Sequence, residues 1–352
     1  MEHLKKYQLI TLIVIVFFLV GNTVYDKVNN GSIASLAKQQ IKVIDMYDLP
    51  LPEKANFCGE PVPLYEAEVR ERLDRELLIN ANLHATTILI IKRANRWLPQ
   101  IESILKEEGI PDDFKYLMVI ESSVSNAVSG AGATGYWQIM KPTAKELGLE
   151  LTDEVDERYH VVKSTKAACQ YIRKSYQKFG SWTNAAAAYN MGLTGMMRAC
   201  VKQKARFYYD LLLNQETSRY VFRILALKEI MTEPKKYGFE ISPTNLYKPY
   251  ILKKIEVDTS INNLIEFAHS QGVSYKSLKT YNPWLISDKL TIVQEKDIST
   301  NKLQNKPQDK LQEKSQEKAK RRYILELPID APFQKDELYL QKQVIPVEDS
   351  LK

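Results

Sequence analysis

The most informative part of the chain is the stretch Ile110-Pro-Asp-Asp-Phe-Lys-Tyr-Leu-Met-Val-Ile-Glu-Ser-Ser123. Pro111 suits the first position of an α-helix, and the two aspartates after it suit the positive end of the helix dipole. Helical spacing then places three apolar side chains on one face: Phe114, Leu117 and Met118. The next position on that face holds Glu121, where packing alone favours leucine. The stretch therefore predicts a helix that carries a carboxylate towards the protein interior.

Two interpretations of Glu121 follow from its position. Burial disfavours the charged carboxylate and raises its pKa, and the negative end of the helix dipole acts in the same direction. A glutamic acid that is partly protonated near neutral pH is the group that general-acid cleavage of a glycosidic bond needs. The alternative is a glutamate held in a buried salt bridge. This helix alone leaves both interpretations open.

Two later segments add groups that suit a sugar-binding cleft. A loop with glycines at 130, 132 and 135 leads into Tyr136-Trp-Gln-Ile-Met140, and glycine lets the backbone approach a ligand closely. Within this segment, Trp137 beside Gln138 is an aromatic and amide pair that suits sugar binding, although Trp137 taken alone is better explained as a core residue. Further on, the run Ala185-Ala-Ala-Ala-Tyr-Asn190 predicts a closely packed helix whose last two side chains are polar.

The periodicity of the whole chain predicts a mainly α protein. Helical spacing extends over residues 64–239, with glycine-bearing breaks at 130–135, 180 and 192–195 and without sustained strand alternation. After residue 248 the pattern changes to a strand within 250–257, short helices over 262–270 and 274–281, and a second strand at 323–327. This indicates a helical domain followed by a small α+β module.

The predicted domain organisation follows from these changes of pattern. Lysine and glutamine each recur at every fourth position between about 292 and 322, with almost no apolar residues, which favours a solvated spacer over a polymer-binding helix. In chain order we expect a signal sequence or membrane anchor (1–25), a linker with a helical N-terminal extension (26–95), a catalytic domain (96–240), a module interrupted by the repeat (250–328) and a tail (329–352).

Composition excludes several classes of function. The 352 residues carry a net charge of only +6, and we find no nucleic-acid recognition motif, so no nucleic-acid partner is expected. The three cysteines, Cys58, Cys169 and Cys200, have neither CxxC spacing nor histidine companions, so no metal site is expected. A disulfide between two of them is open in an exported protein. Neither a phosphate-binding glycine motif nor a serine-hydrolase motif occurs.

The N-terminus has the layout of an export signal. An apolar run from Leu9 to Val20 follows Lys5 and Lys6. The run is short for a membrane span, and no small-x-small cleavage site follows it closely. Three interpretations therefore remain: a cleaved signal, an uncleaved inner-membrane anchor and a buried core helix. The absence of a cysteine just after the run predicts no lipid modification. We expect a cell-envelope location on the periplasmic side.

Taken together and in this order, three motifs resemble a known family. Glu121-Ser122, Gly132-Ala-Thr-Gly-Tyr-Trp-Gln-Ile-Met140 and Ala188-Tyr-Asn-Met-Gly192 resemble the lytic murein transglycosylases of the soluble-lytic-transglycosylase (SLT) type, in particular the membrane-bound lytic transglycosylase D group. The resemblance spans residues 64–240 and includes Asp156-Glu-Arg158 and the segment 216–221. It implies a goose-type, lysozyme-like α-helical fold. The region 250–328 is similar to a degenerate LysM module.

The resemblance also implies a reaction. The family cleaves the bond between N-acetylmuramic acid and N-acetylglucosamine in peptidoglycan glycan strands and leaves 1,6-anhydromuramic ends, without metal or cofactor. Glu121 would be the single general acid and base. The resemblance assigns substrate binding to seven further residues: Ser122, Gln138, Ile139, Met140, Tyr189, Asn190 and Glu216. The family has leucine, phenylalanine and alanine where this chain has Tyr136, Ile139 and Met191, so the fit of the sugar subsites is in question rather than the reaction.

Two alternatives remain. A hydrolytic muramidase that inverts its substrate needs a second carboxylate to activate water, and residues 121–140 contain none. A non-catalytic peptidoglycan-binding envelope protein is the other alternative, and the retention of Glu121 within its full motif argues against it.

Overall fold

The computed structural model of the protein describes residues 16, 20, 25, 49–292 and 322–329. The chain divides into two units, Met1–Asp48 and Leu49–Lys352, and the following account concerns the second. Most of the predicted N-terminal signal or anchor, the Lys/Gln repeat and the tail lie outside the described residues. Among the residues that are described, no helix has the length and apolar character needed to cross a membrane.

The body of the protein is helical. Two short strands, β1 (Asn56–Phe57) and β2 (Glu60–Pro61), come first. The helices that follow are α1 (Ala67–Asn82), α2 (His84–Glu107), α3 (Phe114–Ser122), α4 (Lys141–Glu146), α5 (Val161–Phe179), α6 (Trp182–Met191), α7 (Leu193–Gln203) and α8 (Gln215–Thr232). Short 3₁₀ helices lie at Glu157–Tyr159, Tyr208–Asp210, Pro234–Tyr237 and Pro243–Asn245. The predicted mainly α fold class is confirmed.

Helix α8 lies at the centre of this body. It packs against α1, α3 and α6. Its buried residues run from Thr217 to Ile230 and are not confined to one stripe, which is the pattern of a helix enclosed by its neighbours. Two successive side chains of α8 contact different helices, since Arg219 bonds Glu76 of α1 and Tyr220 bonds Glu121 of α3. The central helix therefore carries contacts to two carboxylates.

Helix α3 ends as predicted but begins later, at Phe114 rather than at Pro111. Its first amides donate to carbonyls three residues back, which is the tighter turn common at helix ends. Asp113 does not cap the helix. Its carboxylate accepts hydrogen bonds from the Cys58 amide at 2.6 Å and from Lys228 Nζ at 2.7 Å. The aspartate thus joins α3 to the β1–β2 segment and to α8.

The β1–β2 hairpin lies in the region that the sequence analysis assigned to a linker with a helical N-terminal extension. The hairpin contacts the start of α6 through Glu60. The Glu60 carboxylate accepts hydrogen bonds from the amides of Trp182 (2.6 Å) and Thr183 (2.9 Å). A carboxylate at the positive end of α6 satisfies amides that lack helical partners. Two-residue strands have too little periodicity for a pattern to detect.

The predicted glycine breaks at 130–135 and 180 are confirmed, and the break predicted at 192–195 is confined to Gly192. Gly180 ends α5 and Gly192 ends α6, both with positive φ, 66° and 82°. Gly195, which the sequence analysis placed in a break over 192–195, lies inside α7. A single glycine within a helix costs only about 1 kcal/mol, so it does not by itself stop one.

The C-terminal module (residues 250–292 and 322–329) has its own core. It contains β3 (Leu252–Val257), α9 (Leu264–Ser270), α10 (Tyr275–Tyr281) and β4 (Tyr323–Pro328). The strands pair antiparallel, with Leu252 opposite Pro328 and Val257 opposite Tyr323. The predicted strands and helices are confirmed within two residues at each end.

One residue of the body belongs to the core of the module. Val155 is buried in the cluster formed by the module's apolar side chains. Next to it, the amide of Asp156 donates to the carbonyl of Trp284 at 2.9 Å. The loop before α5 is therefore the surface on which the C-terminal module packs.

Candidate active site

Glu121 lies in the penultimate position of α3 and points towards α8. Its carboxylate accepts a short hydrogen bond from the hydroxyl of Tyr220. The nearest cationic side chain on α8, Arg223, donates instead to the carbonyl of Ile120 at 3.3 Å. Glu121 therefore has a neutral donor as its partner, and the buried salt bridge considered from the sequence is not formed.

The environment of Glu121 raises its pKa from 4.5 to about 7. Burial is the largest cause, because it penalises the charged form. The hydrogen bond from Tyr220 and the charge of Arg223 act in the opposite direction, and the negative charge of Glu216 adds to the increase. A carboxyl group with this pKa is available as acid and as base at neutral pH.

The chain leaves α3 in a strained conformation directly after Glu121. Ser123 and Val124 both have positive φ, 51° and 56°. This region disfavours non-glycine residues, and for a β-branched residue such as valine it is a genuine outlier. Such strain concentrates at sites where the surrounding structure holds a functional geometry.

Five of the predicted substrate-binding residues line one cavity of about 280 Å³: Gln138, Ile139, Met140, Tyr189 and Asn190. We call it the cleft. Thr143, Tyr171 and Met191 complete much of its wall. Segments far apart in the sequence, the glycine loop and the end of α6, thus meet at one place. Glu121 is not part of this wall, but its charge contributes to the increased pKa of Tyr189, after the larger effect of burial.

Asn190 connects the cleft to Glu216. Its Nδ2 donates to Glu216 Oε1 at 3.1 Å, and its Oδ1 accepts a hydrogen bond from Thr217 Oγ1 at 2.7 Å. Glu216 is exposed and lies in the first turn of α8, where the helix dipole favours a negative charge. The hydroxyl of Tyr189 donates to the carbonyl of Trp137 at 2.7 Å. These bonds fix the side chains at the end of α6.

The structure gives the hydrogen-bond partners of two further side chains from these motifs. Trp137 is fully buried and donates from Nε1 to Thr165 Oγ1 at 2.8 Å, so it belongs to the core and does not pair with Gln138 on a sugar-binding surface. Ser122, which the resemblance assigns to substrate binding, is buried and donates to the carbonyl of Met118 at 3.3 Å. Its role in substrate binding stays a prediction.

The glycine loop is supported from behind by Arg158. The guanidinium pairs with Asp156 and also donates to the carbonyls of Gly132 (3.1 Å) and Ile139 (3.3 Å). A Cβ on Gly135 would lie 2.0 Å from the carbonyl oxygen of Arg158, and Gly135 has a φ of 84°. This glycine therefore permits close packing of two chain segments, where the sequence analysis had expected room for a ligand.

The sequence analysis quoted two of these supporting residues, Tyr220 and Arg158, only as parts of longer motifs and gave neither a role at the site. Tyr220 is 99 positions from its partner, Glu121. The three cysteines are unpaired, and Cys169 is a fully buried core residue. Within residues 49–292 and 322–329, no group of three or more histidine, cysteine, aspartate or glutamate side chains could hold a metal ion.

Comparison with known families agrees with this geometry. Residues 100–211, which include α3, the glycine loop and α6, match the family model of the transglycosylase SLT domain. Residues 253–306 match the soluble lytic transglycosylase C-terminal LysM-like domain. The segment similar to the SLT domain thus carries Glu121 and the cleft, while the segment similar to the LysM-like domain includes most of the C-terminal module.

Three curated proteins are similar to the chain. The membrane-bound lytic murein transglycosylase D of Escherichia coli strain K12 is 32% identical over 235 residues, which are 64% of this chain and 50% of that protein. The protein of the same name from Escherichia coli O6:H1 strain CFT073 matches equally. A putative tributyltin chloride resistance protein of an Alteromonas species is 31% identical over 117 residues, 32% of this chain and 56% of that protein. The chain spans about half the length of the curated relatives that it matches.

Proposed function

We propose that the protein is a lytic transglycosylase that cleaves the bond between N-acetylmuramic acid and N-acetylglucosamine in peptidoglycan and leaves 1,6-anhydromuramic ends. The observation that carries the proposal is the state of Glu121. Its carboxyl group is held beside a neutral hydroxyl and has a pKa of about 7. The match to the SLT domain and to the lytic transglycosylase D proteins supports the same activity.

In the proposed reaction Glu121 acts twice. The protonated carboxyl group donates its proton to the glycosidic oxygen as the bond to C1 of the muramic sugar breaks. The resulting carboxylate then takes the proton of the C6 hydroxyl, and the C6 oxygen bonds to C1. No water is consumed, and Glu121 ends the reaction protonated again. The hydroxyl of Tyr220 stabilises the carboxylate between the two steps, because a donated hydrogen bond favours the charged form.

The cleft residues would bind the sugars. Gln138, Ile139 and Met140 form the wall on the side of the glycine loop, and Tyr189 and Asn190 form the wall on the side of α6. Among these side chains, the amide of Gln138 donates to the carbonyls of Ala127 and Gly135. Its orientation is therefore fixed before substrate arrives, which lowers the entropic cost of binding.

One observation favours hydrolysis as a second candidate. Glu216 is an exposed carboxylate whose charge acts on Glu121. The sequence region 121–140 contains no second carboxylate, but the fold brings this one near from α8. An inverting muramidase would use such a group to activate water. In the structure Glu216 instead accepts a hydrogen bond from Asn190, which fits a role in holding the cleft.

The two candidates differ in product mass. Purified protein lacking residues 1–25 should release muropeptides with anhydro ends from sacculi, each one water lighter than the product of a muramidase. Mass spectrometry of the digest measures this directly, with Glu121→Gln as the inactive control. Reducing-end muramic acid as the main product would favour hydrolysis and point to Glu216.

We also propose a location in the cell envelope, facing the peptidoglycan. The apolar run from Leu9 to Val20 and the relatives named as membrane-bound support this. The LysM-like match suggests that the C-terminal module binds the same polymer. Cell fractionation tests the location, and recovery of the full chain in the cytosol would contradict it.

A further inference from the structure

Charge is distributed unevenly over the helices α5 to α7. The stretch from Val161 to Tyr209 contains nine lysine or arginine residues and neither an aspartate nor a glutamate. The whole chain carries a net charge of only +6. This stretch therefore holds more than the entire positive excess of the protein.

Most of these cations have no carboxylate partner. Three of them form salt bridges with glutamates of other segments: Lys163, Lys166 and Arg173. The other six are all exposed and form no salt bridge with any residue that the structure describes: Lys174, Lys178, Arg198, Lys202, Lys204 and Arg206. Their charge is compensated only by solvent and mobile ions, so the surface that they share is cationic.

Five of these six cations line a continuous groove between α5 and α7. Two cavities of about 730 and 450 Å³ adjoin there, because Lys178, Met197 and Val201 line both of them. We call them together the basic groove. No acidic residue lines either cavity, and neither shares a lining residue with the cleft. The basic groove is thus a surface distinct from the candidate active site.

Apolar side chains lie exposed among the cations. Val201, which lines both parts of the groove, is 70% exposed. Leu212 is 84% exposed, and its amide donates to the Oε1 atom of Gln203, the last residue of α7, at 2.8 Å. A single exposed apolar residue is ordinary. Two of them on a cationic surface are typical of a contact with the interface of a membrane.

The extent of this surface and the nature of its partner both follow from charge. Asp210 is the first acid after the stretch, and with Glu66 it lines a different cavity, so the cationic surface ends there. A second copy of the chain would present the same cations and be repelled. A nucleic acid would neutralise the cations but leave Val201 and Leu212 in water. An anionic bilayer accommodates both kinds of side chain.

We propose that the basic groove and the apolar residues beside it dock on a lipid bilayer that carries anionic headgroups. The lysine and arginine side chains bind the phosphates, while Val201 and Leu212 reach the boundary of the acyl chains. Each cation near such a surface increases affinity by about fivefold. The contact is separate from the N-terminal apolar run and does not depend on catalysis by Glu121. It would hold the helical body against a membrane.

The test uses protein that lacks residues 1–25, so that the apolar run cannot insert by itself. The described members of both apolar cores begin at Leu49, so the deletion leaves these cores complete. Co-sedimentation compares vesicles of phosphatidylcholine alone with vesicles that also contain phosphatidylglycerol. Binding to the mixed vesicles should be tighter and should weaken as salt is added, because ions screen exposed charges.

A matched pair of double variants tests the location of the contact. Lys178→Gln with Arg198→Gln removes one cation from each side of the groove and should weaken binding to the mixed vesicles by about 25-fold. Arg70→Gln with Lys253→Gln removes two exposed cations of α1 and β3, changes the net charge equally and should retain binding. Val201→Ser with Leu212→Ser keeps all the cations and should weaken binding by about tenfold.

Lys174→Gln with Lys202→Gln has the same expected loss and replaces the first variant if that variant loses its thermal midpoint. Three results would overturn the proposal: equal binding to both kinds of vesicle, equal losses in the groove and control variants, or full binding without Val201 and Leu212. Binding of soluble heparin without binding of vesicles would also overturn it, in favour of a polyanion site. Glu121→Gln should bind vesicles like its parent, so failure of the catalytic proposal leaves this test unaffected.

Discussion

A buried glutamate, Glu76, and a half-buried one, Glu121, contact neighbouring positions of the same helix, and their environments differ. Glu76 of α1 is 1% exposed and accepts two hydrogen bonds from Arg219, at 2.6 and 3.1 Å. Glu121 of α3 accepts its hydrogen bond from Tyr220, the next residue. A cation beside a buried carboxylate fixes the charge, and a neutral hydroxyl leaves the proton exchangeable. The comparison indicates that partner chemistry, rather than burial alone, distinguishes the structural from the reactive carboxylate.

Replacement of each glutamate by glutamine should show the largest functional difference between Glu76 and Glu121. Glu121→Gln removes the titratable proton and should lower turnover on sacculi by about 10³- to 10⁴-fold, because one group serves as both acid and base. Its thermal midpoint should be equal or higher, since an amide is cheaper to bury than a carboxylate. Substantial turnover in the folded variant would show that the chemistry lies elsewhere.

The pH dependence of stability should differ between the wild type and Glu121→Gln. The pKa of Glu121 is about 7 in the folded state, against 4.5 as its ordinary value. The folded state therefore holds more protons between these pH values, so wild-type stability falls as pH rises through this window and is constant above it. Urea unfolding at a series of pH values should show a relative loss of at most about 3 kcal/mol, reduced by solvent screening of the half-buried carboxylate. Parallel curves for the two proteins would contradict a raised pKa.

Glu76→Gln should lower stability and leave turnover nearly unchanged, the reverse of Glu121→Gln. It leaves Arg219 without its counter-charge and should lower the free energy of unfolding by about 1–3 kcal/mol, since the arginine keeps part of its hydration. Turnover per folded molecule should stay within about twofold of the wild type. Chemical denaturation and turnover at a temperature where the variant is folded measure both quantities. A large loss of turnover in the folded variant would remove the distinction between the two sites.

Tyr220→Phe should have the smallest effect and the most specific one. It removes the hydrogen bond that favours the charged carboxylate, so the pKa of Glu121 should rise by about one unit and turnover should fall by about tenfold. The pH–rate profile measures the shift as a movement of the alkaline limb to higher pH. Tyr208→Phe is the matched control, because Tyr208 also donates to α8, at the carbonyls of Thr217 and Ser218. An identical profile in both variants would mean that Tyr220 only packs.

The sequence predicted elements whose signal is local. The helix that carries Glu121 was evident from apolar side chains at helical spacing. The module helices α9 and α10 were predicted within two residues at each end. Residues Gln138 to Met140, Tyr189 and Asn190 were grouped through a resemblance in motif order, and the structure brings them to one cavity.

Contacts across long sequence separations could not be predicted in this way. Nothing near Glu121 in the sequence indicates Tyr220, and nothing near Val155 indicates that it completes the core of a module more than 100 residues later. The sequence left the position of Trp137 open between core and sugar-binding surface, because a buried aromatic and an exposed one have the same local pattern. Its hydrogen bond to Thr165 depends on the packing of α5 against the loop.

The most direct test of the account is the titration of Glu121 itself. In protein labelled with ¹³C at glutamate side-chain carboxyl groups, the Glu121 signal is assigned by its absence in Glu121→Gln. The carboxyl resonance should move with a midpoint near pH 7, because burial raises the pKa of Glu121 by more than the hydrogen bond from Tyr220 lowers it, and the alkaline limb of the pH–rate profile should share that midpoint. A midpoint near the ordinary value of 4.5 would contradict the account, because the residue would then be ionised at neutral pH and unable to act as the acid.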